Sequence, residues 1–317
     1  MNIDVPYAGL TPDCVLDAVS ACGLWPDGRL LALNSYENRV WQVGIEDSAP
    51  VIAKFYRPGR WSDAAILEEH AFAQELAAAE LPVVAPLLFG GHSLLRHGGY
   101  RYALAPRRGG RAPTLESVEQ LQWLGRLIAR MHMVGARAPF ADRGTLDRAT
   151  LVAQPMRAVL AAPLLPAALH DAYRAAAERL DAAIALRQQG VGPVRQLRLH
   201  GDCHPGNVLW TDVGPHFVDL DDARMGPAVQ DLWMLAHDDA AMRSLLDGYT
   251  AMRDFDYPEL ALVPALRAMR QLHHAGWIAQ RWHDPAFPAA FPFAAEPRWW
   301  EQHIADLHEL ADELQQR

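Results

Sequence analysis

The chain has 317 residues, half of them hydrophobic, and a formal net charge of −9 at pH 7. Such a length suits about two domains with substantial cores, and an acidic chain without a long Lys/Arg run argues against nucleic-acid binding. Its three cysteines, Cys14, Cys22 and Cys203, make no disulfide framework and fit a reducing cytosol. The opening MNIDVPYAGL lacks the basic and apolar segments of a signal peptide, and no apolar run reaches the ~18 residues of a membrane span. A cytoplasmic monomer with no membrane partner is the expectation.

In chain order, Thr11-Pro12-Asp13 starts a helix with a capping hydroxyl, a first-turn proline and an acid, and that helix should stop near Gly23. Leu30 to Leu33, a polar loop Asn34-Ser35-Tyr36-Glu37-Asn38, and Arg39 to Val43 read as strand, loop, strand. Pro50 to Tyr56 is a third strand, in which Lys54 interrupts an apolar run. Ser62-Asp63 opens a helix to residue 80, and Glu69 falls within its inward stripe of Ile66, Phe72, Ala73 and Leu76, whereas Glu68 lies about 100° away. An inward carboxylate needs a cation, and Lys54 is the candidate. Val83–Leu88 and Tyr100–Ala105 are expected to complete a small antiparallel sheet.

Pro106 to Gly110 reads as a linker, and from Ser117 the spacing of Val118, Leu121, Leu124, Ile128 and Met131 is helical. Gly125 and Ala129 would permit close helix packing. Ala-rich stretches between residues 150 and 190 read as helix, as do residues 230–253 and 258–283. The expected fold class is α+β: a small antiparallel-sheet lobe, residues 1–105, and a larger mainly helical lobe, residues 106–317, with a nucleotide between them.

The most informative stretch runs from Leu199 through His200-Gly201-Asp202-Cys203-His204-Pro205-Gly206-Asn207 to Phe217-Val218-Asp219. Gly201 and Pro205-Gly206 force a tight loop, and two short apolar segments follow as a hairpin. Such a loop and hairpin can bring Asp202, Asn207 and Asp219 to one cleft edge. Phosphoryl transfer needs this chemistry: one carboxylate for the proton of the attacking hydroxyl, and an amide oxygen and a second carboxylate for Mg2+.

Strand Lys, helix Glu, HGDxHPGN and the later Val-Asp together resemble the aminoglycoside phosphotransferase and choline kinase group, which has the two-lobed protein-kinase-like fold. LNSYENRV, KFYRPGRW, ILEEH, LHGDCHPGNVLW, FVDLDDAR, GPAVQDLWML and DPAFP are similar, more narrowly, to the bacterial stress response kinase A family. That resemblance implies an ATP-dependent serine/threonine protein kinase with a stress role. It implies Asp202 as the base, Asn207 and Asp219 as Mg2+ ligands, Lys54 on the α/β-phosphates and paired with Glu69, and Ser35 against the nucleotide phosphates. Asp221 and Asp222 fall too late in the register for metal and read as supporting or solvated. The phosphate loop has no GxGxxG, and neither a DFG triplet nor an APE-ended activation segment is present, so activation-loop phosphorylation is not expected.

Weaker signals have plainer readings. His200, Cys203 and His204 have poor zinc spacing; His200 reads as a packed brace, and Cys203 as a small buried side chain. Asp231 is expected to accept from the catalytic-loop backbone or to serve as a helix N-terminal acid. Trp277, Trp282, Trp299 and Trp300 suit a cap on the helical lobe, or an aromatic cage for a quaternary amine. Arg107, Arg108 and Arg111 read as a solvated cluster. Besides a protein kinase, a small-molecule kinase for an amino alcohol or amino sugar and a non-catalytic nucleotide-binding regulator stay open.

Overall fold

A computed structural model describes residues 6–316. They divide into two compact units, one comprising residues 6–144 and 197–255 and the other residues 145–196 and 256–316. The expected linker at residue 106 lies inside the first unit.

The first unit opens with α1 (Pro12–Ser20), capped by the Thr11 hydroxyl, which accepts from the Cys14 N–H. Five strands follow as an antiparallel sheet: β1 (Pro26–Leu33), β2 (Arg39–Ile45), β3 (Ser48–Phe55), β4 (Leu95–His97) and β5 (Tyr100–Pro106), in the order β1-β2-β3-β5-β4. Val15, Val19, Val43, Ala53, Phe55 and Leu104 are fully buried between α1 and one sheet face. On the other face Lys54 stands in register with Val40 and Ala103. Between β3 and β4 comes α2 (Asp63–Ala78), started by Ser62, whose hydroxyl accepts from Ala65 N at 3.0 Å.

Val83–Leu88 is not a strand of this sheet, contrary to expectation. Pro82 and Pro86 offer no N–H to a ladder, and in place of a ladder the segment makes single bonds, Val84 N to Phe217 O and Leu87 N to Leu104 O of β5. The place beside β5 is taken by β4.

α3 (Val118–Gly135) packs on a later helix at Gly125, where a Cβ would lie 2.0 Å from the Leu245 carbonyl oxygen. The first unit resumes after residue 196 with two small sheets that frame the catalytic stretch. In one, β6 (Leu197–Leu199) pairs with β9 (Arg224–Gly226); in the other, β7 (Val208–Thr211) pairs with β8 (Gly214–Phe217). The helix expected over residues 230–253 is two, α6 (Gln230–Trp233) and α7 (Asp239–Thr250), divided where the Asp238 carboxylate caps the second by accepting from Ala241 N at 2.7 Å.

The second unit is helical. Within the described residues a π-turn over 149–153 leads into α4 (Gln154–Ala161), Pro163 and Pro166 interrupt it, and α5 (His170–Val191) follows. A 3-10 turn (Tyr257–Leu262) precedes α8 (Val263–Arg281), so the expected span 258–283 begins as 3-10 rather than α. After α9 (Ala286–Ala290), α10 (Pro297–Gln316) completes the unit. Trp300 is fully buried among Tyr173, Ala177, Leu272 and Leu307. Trp299 stacks on His303 at 5.3 Å, and Trp277 packs edge-on to Phe287 at 4.8 Å. These aromatics fill the unit's own core, which is the capping role rather than a cage.

Candidate active site

The first unit assembles nearly all the site residues marked by the sequence. Lys54 lies 3.5 Å from Glu69, 3.1 Å from Asp219 and 3.1 Å from Asp221. The inward Glu69 has a second cation in Arg143, at 3.6 Å. Burial disfavours the charged lysine, but Asp219, Asp221 and Glu69 outweigh it and raise the Lys54 pKa well above its ordinary value. Burial pushes the Glu69 carboxyl up, against the pull of Lys54 and Arg143.

The loop that carries Asp202 and Asn207 is built from its own backbone and two buried side chains. His204 N and the Asn207 side-chain nitrogen both donate to the Asp202 carbonyl, at 3.0 and 2.9 Å. The bond from its nitrogen fixes the orientation of the Asn207 amide in the loop. His200 is fully buried, and its Nε2 lies 2.9 Å from the Val218 carbonyl, the residue before Asp219. Gly201 has φ +85°, and a Cβ there would lie 2.1 Å from the Asp222 carbonyl oxygen. Only glycine meets both conditions.

Asp231, fully buried, accepts from His200 N and Gly201 N, both at 2.8 Å, and lies 3.1 Å from His132 Nε2. It is thus the backbone anchor anticipated from its position. Cys203 is also fully buried, and burial, then Asp231 and Asp202, push its thiol pKa well up. The thiolate needed for oxidation is suppressed.

Asp219 has φ +60° and ψ +66°, the left-handed region that a non-glycine residue enters at a cost of about 1–2 kcal/mol. Its side chain is 52% exposed. An aspartate held in a strained conformation, half open to solvent, beside a lysine is the arrangement expected where function offsets strain. Asn207 and Asp219 each carry a hard oxygen of the kind Mg2+ takes.

Ser35 sits half-buried in the turn from β1 to β2. This turn lacks the glycines of common phosphate loops and is held by arginines instead. Arg57 donates to the carbonyls of Glu37 and Tyr36, at 2.9 and 3.1 Å, and Arg39 donates to Tyr36 O at 3.2 Å. The Asn38 side chain accepts from Arg57 N.

Several supporting residues were not apparent from the sequence. Arg143 is fully buried and donates to the carbonyls of Ala65, Asp221 and Ala223, joining α2 to the segment after Asp219. Glu68 accepts from the backbone N–H groups of Ala141, Asp142 and Arg143 at 2.6, 2.8 and 3.1 Å. Arg198 forms a two-pronged pair with Glu75, at 3.0 and 2.6 Å, and stacks on Phe72. These ties fix α2, and with it Glu69, to the strand that leads into Asp202. Asp221 is a correction to the solvated alternative: its side chain is 4% exposed and paired with both Lys54 and Arg60.

This geometry meets a matching family pattern. Residues 29–263 match the phosphotransferase enzyme family. The chain belongs to that family. It is 42% identical to stress response kinase A of Escherichia coli K12 over 99% of this chain and 97% of the relative. It is 42% identical to the serine/threonine protein kinase RdoA of Salmonella typhimurium LT2, over 96% of this chain and 93% of that one. Membership extends to the stress response kinase A family, and the protein is a phosphotransferase with a kinase-like fold. Among solved structures, a microcompartment-associated aminopropanol kinase superposes with TM-score 0.67 at 18% identity, covering 92% of this chain and 98% of its own. An amicoumacin kinase in complex with AMP-PNP, Ca2+ and Ami gives TM-score 0.70 at 18% identity, covering 93% of this chain and 92% of its own. At such identity these two speak for the fold alone.

Proposed function

We propose that this phosphotransferase is an ATP-dependent serine/threonine protein kinase of the cytoplasm, acting in a stress response. The observation that carries the reading is the convergence of Lys54, Glu69 and Asp219, with ion-pair distances of 3.5 and 3.1 Å, on the hairpin that follows Asp202 and Asn207. The name of the Salmonella relative supports a protein acceptor.

In this reading Lys54, oriented by Glu69, holds the nucleotide phosphates, and the turn carrying Ser35 covers them. Asp202 orients the acceptor hydroxyl and takes its proton. Asn207 and Asp219 would hold Mg2+, which when bound supplies positive charge opposite the transferring phosphoryl group. The apolar row that shares the sheet face of Lys54, with Leu33 paired to Val40 and Leu31 to Gln42, offers a surface for the base.

The test is phosphate transfer from γ-labelled ATP with Mg2+, with and without a basic protein acceptor. Asp202→Ala should keep ATP binding and lose about 10²- to 10⁴-fold in turnover, the usual contribution of a positioned base. At 1.36 kcal/mol per decade that is roughly 3 to 5 kcal/mol of barrier. Unchanged turnover removes Asp202 from the mechanism. A second reading is a kinase for small amino alcohols or amino sugars, whose fold this chain shares with an aminopropanol kinase. Robust ATP consumption with such an alcohol and no label on protein selects it.

A further inference from the structure

Two sequence motifs, KFYRPGRW and FVDLDDAR, contain more charge than the reaction roles use, and the structure shows them engaged with each other. Arg60 of the first pairs with Asp221 of the second, and its other nitrogen donates to Asp222 at 2.7 Å. Asp222 also pairs with Arg224 at 2.8 Å. Arg60, Arg143 and Arg224 surround the Trp61 ring at 5.5, 4.3 and 5.8 Å. Arg60 further reaches Glu37 of the phosphate turn, at 3.7 Å. Asp221 therefore stands between two cations, Arg60 on one side and Lys54 at 3.1 Å on the other.

The two aspartates around Lys54 are unequal. Asp221 is buried and fixed, whereas Asp219, at the same 3.1 Å from Lys54, has half its side chain open. An ammonium group with one carboxylate partner holds it firmly; with a second, buried partner it holds the exposed one less. We propose that Asp221, held by Arg60, is a positioning residue that takes up the charge of Lys54 and so leaves Asp219 able to turn from the lysine to a divalent cation. This rests on the reading of Asn207 and Asp219 as the metal-holding pair.

A removed carboxylate at Asp221 would leave Lys54 leaning on Asp219 and Glu69 alone, so the lysine would compete with the cation for Asp219. The loss would appear in the metal-dependent part of nucleotide binding and not in the metal-free part, where Lys54 meets the phosphates in either case. A merely structural role predicts the reverse, with both parts weakened alongside a lower melting temperature.

The experiment measures the dissociation constant of a fluorescent ATP analogue with EDTA and with Mg2+, in wild type, Asp221→Asn, Arg60→Gln and the double variant, with thermal melting of each. In Asp221→Asn the tightening by Mg2+ should fall about tenfold, within the usual range of coupling between sites, while metal-free affinity stays within about threefold of wild type. Arg60→Gln should lose part of the same tightening, because Asp221 is then no longer held in place beside Lys54. The double variant should lose no more than Asp221→Asn, since both act through one carboxylate. Unchanged Mg2+ dependence in a folded Asp221→Asn protein overturns the proposal, as do additive losses in the double variant. If Asp221→Asn fails to fold, Arg60→Gln decides by the same ratio. Wild type that binds no nucleotide would instead overturn the kinase reading itself.

Discussion

Asp231→Asn is the sharpest perturbation of the site that touches none of its reacting groups. In the native loop one carboxylate oxygen accepts from Gly201 N and the other from His200 N, each at 2.8 Å, in full burial. Asparagine keeps the shape but replaces one acceptor oxygen by an amide nitrogen, which must then face a backbone N–H. One hydrogen bond to a charged acceptor is lost, about 1.5–3 kcal/mol, and the one that remains loses its charge assistance, about 1 kcal/mol more. The sum, roughly 3 kcal/mol, corresponds to a drop in melting temperature of about 10 °C for a unit of this size. The loop also carries Asp202 one residue beyond Gly201, and a displacement near 1 Å at a reacting group costs about 10²-fold in rate. Thermal melting and γ-phosphate transfer on the same preparation measure the two effects. Asp238→Asn serves as control: there the side chain caps α7 at the surface, and Asn caps as well as Asp, so less than 1 kcal/mol is expected. A fully active Asp231→Asn protein that melts within about 2 °C of wild type would refute the account of how this loop is held.

Three further outcomes follow from single positions. Gly125→Ala puts a methyl 2.0 Å from the Leu245 carbonyl and 2.9 Å from Tyr249 N, both backbone, so α3 and α7 must part, at about 1–3 kcal/mol or more of lost stability; Gly190→Ala, in α5 with nothing within 4 Å, should instead stabilise its helix by about 0.5–1 kcal/mol, as urea titration of each variant would show. His70 lies 2.6 Å from the Tyr56 hydroxyl and 2.8 Å from Ser93 Oγ, and burial, with Lys54 and Arg143 near, lowers its pKa to about 3. Because the unfolded chain takes up this proton near pH 6.5 and the folded one does not, the stability it confers is complete above pH 6.5 and declines as pH falls toward 3, by about 2 kcal/mol at pH 5. Urea midpoints between pH 5 and 6.5 should decline less steeply in His70→Gln, and an identical slope would mean that His70 already carries a proton in the folded protein.

What could be foreseen from the sequence shares one property: the signal is local. Thr11, Ser62 and Ser117 announce helix starts because an N-cap bonds only three residues ahead. Lys54 and Glu69 stand out because each breaks an apolar pattern within its own element, and Asp202 and Asn207 share one tight loop. The supporting arginines have no such trace. Arg198 finds Glu75 at a separation of 123 residues, and Arg143 finds Ala65 at 78, so each reads in sequence as an ordinary surface charge. Pro82 and Pro86 did carry a local warning against a strand at Val83–Leu88.

Asp219 and Asp221 mark where local reading stops. Two residues apart in an extended chain, their side chains would share one side; the family resemblance implied metal for the first, and register left the second as support or solvated. The left-handed turn at Asp219 breaks that alternation: Leu220–Asp222 winds into a single 3-10 turn, which buries Asp221 while Asp219 stays open. Aspartate enters the left-handed region more readily than most residues, but not often enough to anticipate the turn from its letter. The arginines of RPGR, Arg57 and Arg60, carried no local sign of a partner either, and the pairing of Arg60 with these acids spans more than 160 residues. Unassigned charges of opposite sign flanking the two halves of one site are each costly to bury alone, and burying them against each other is the arrangement that satisfies both.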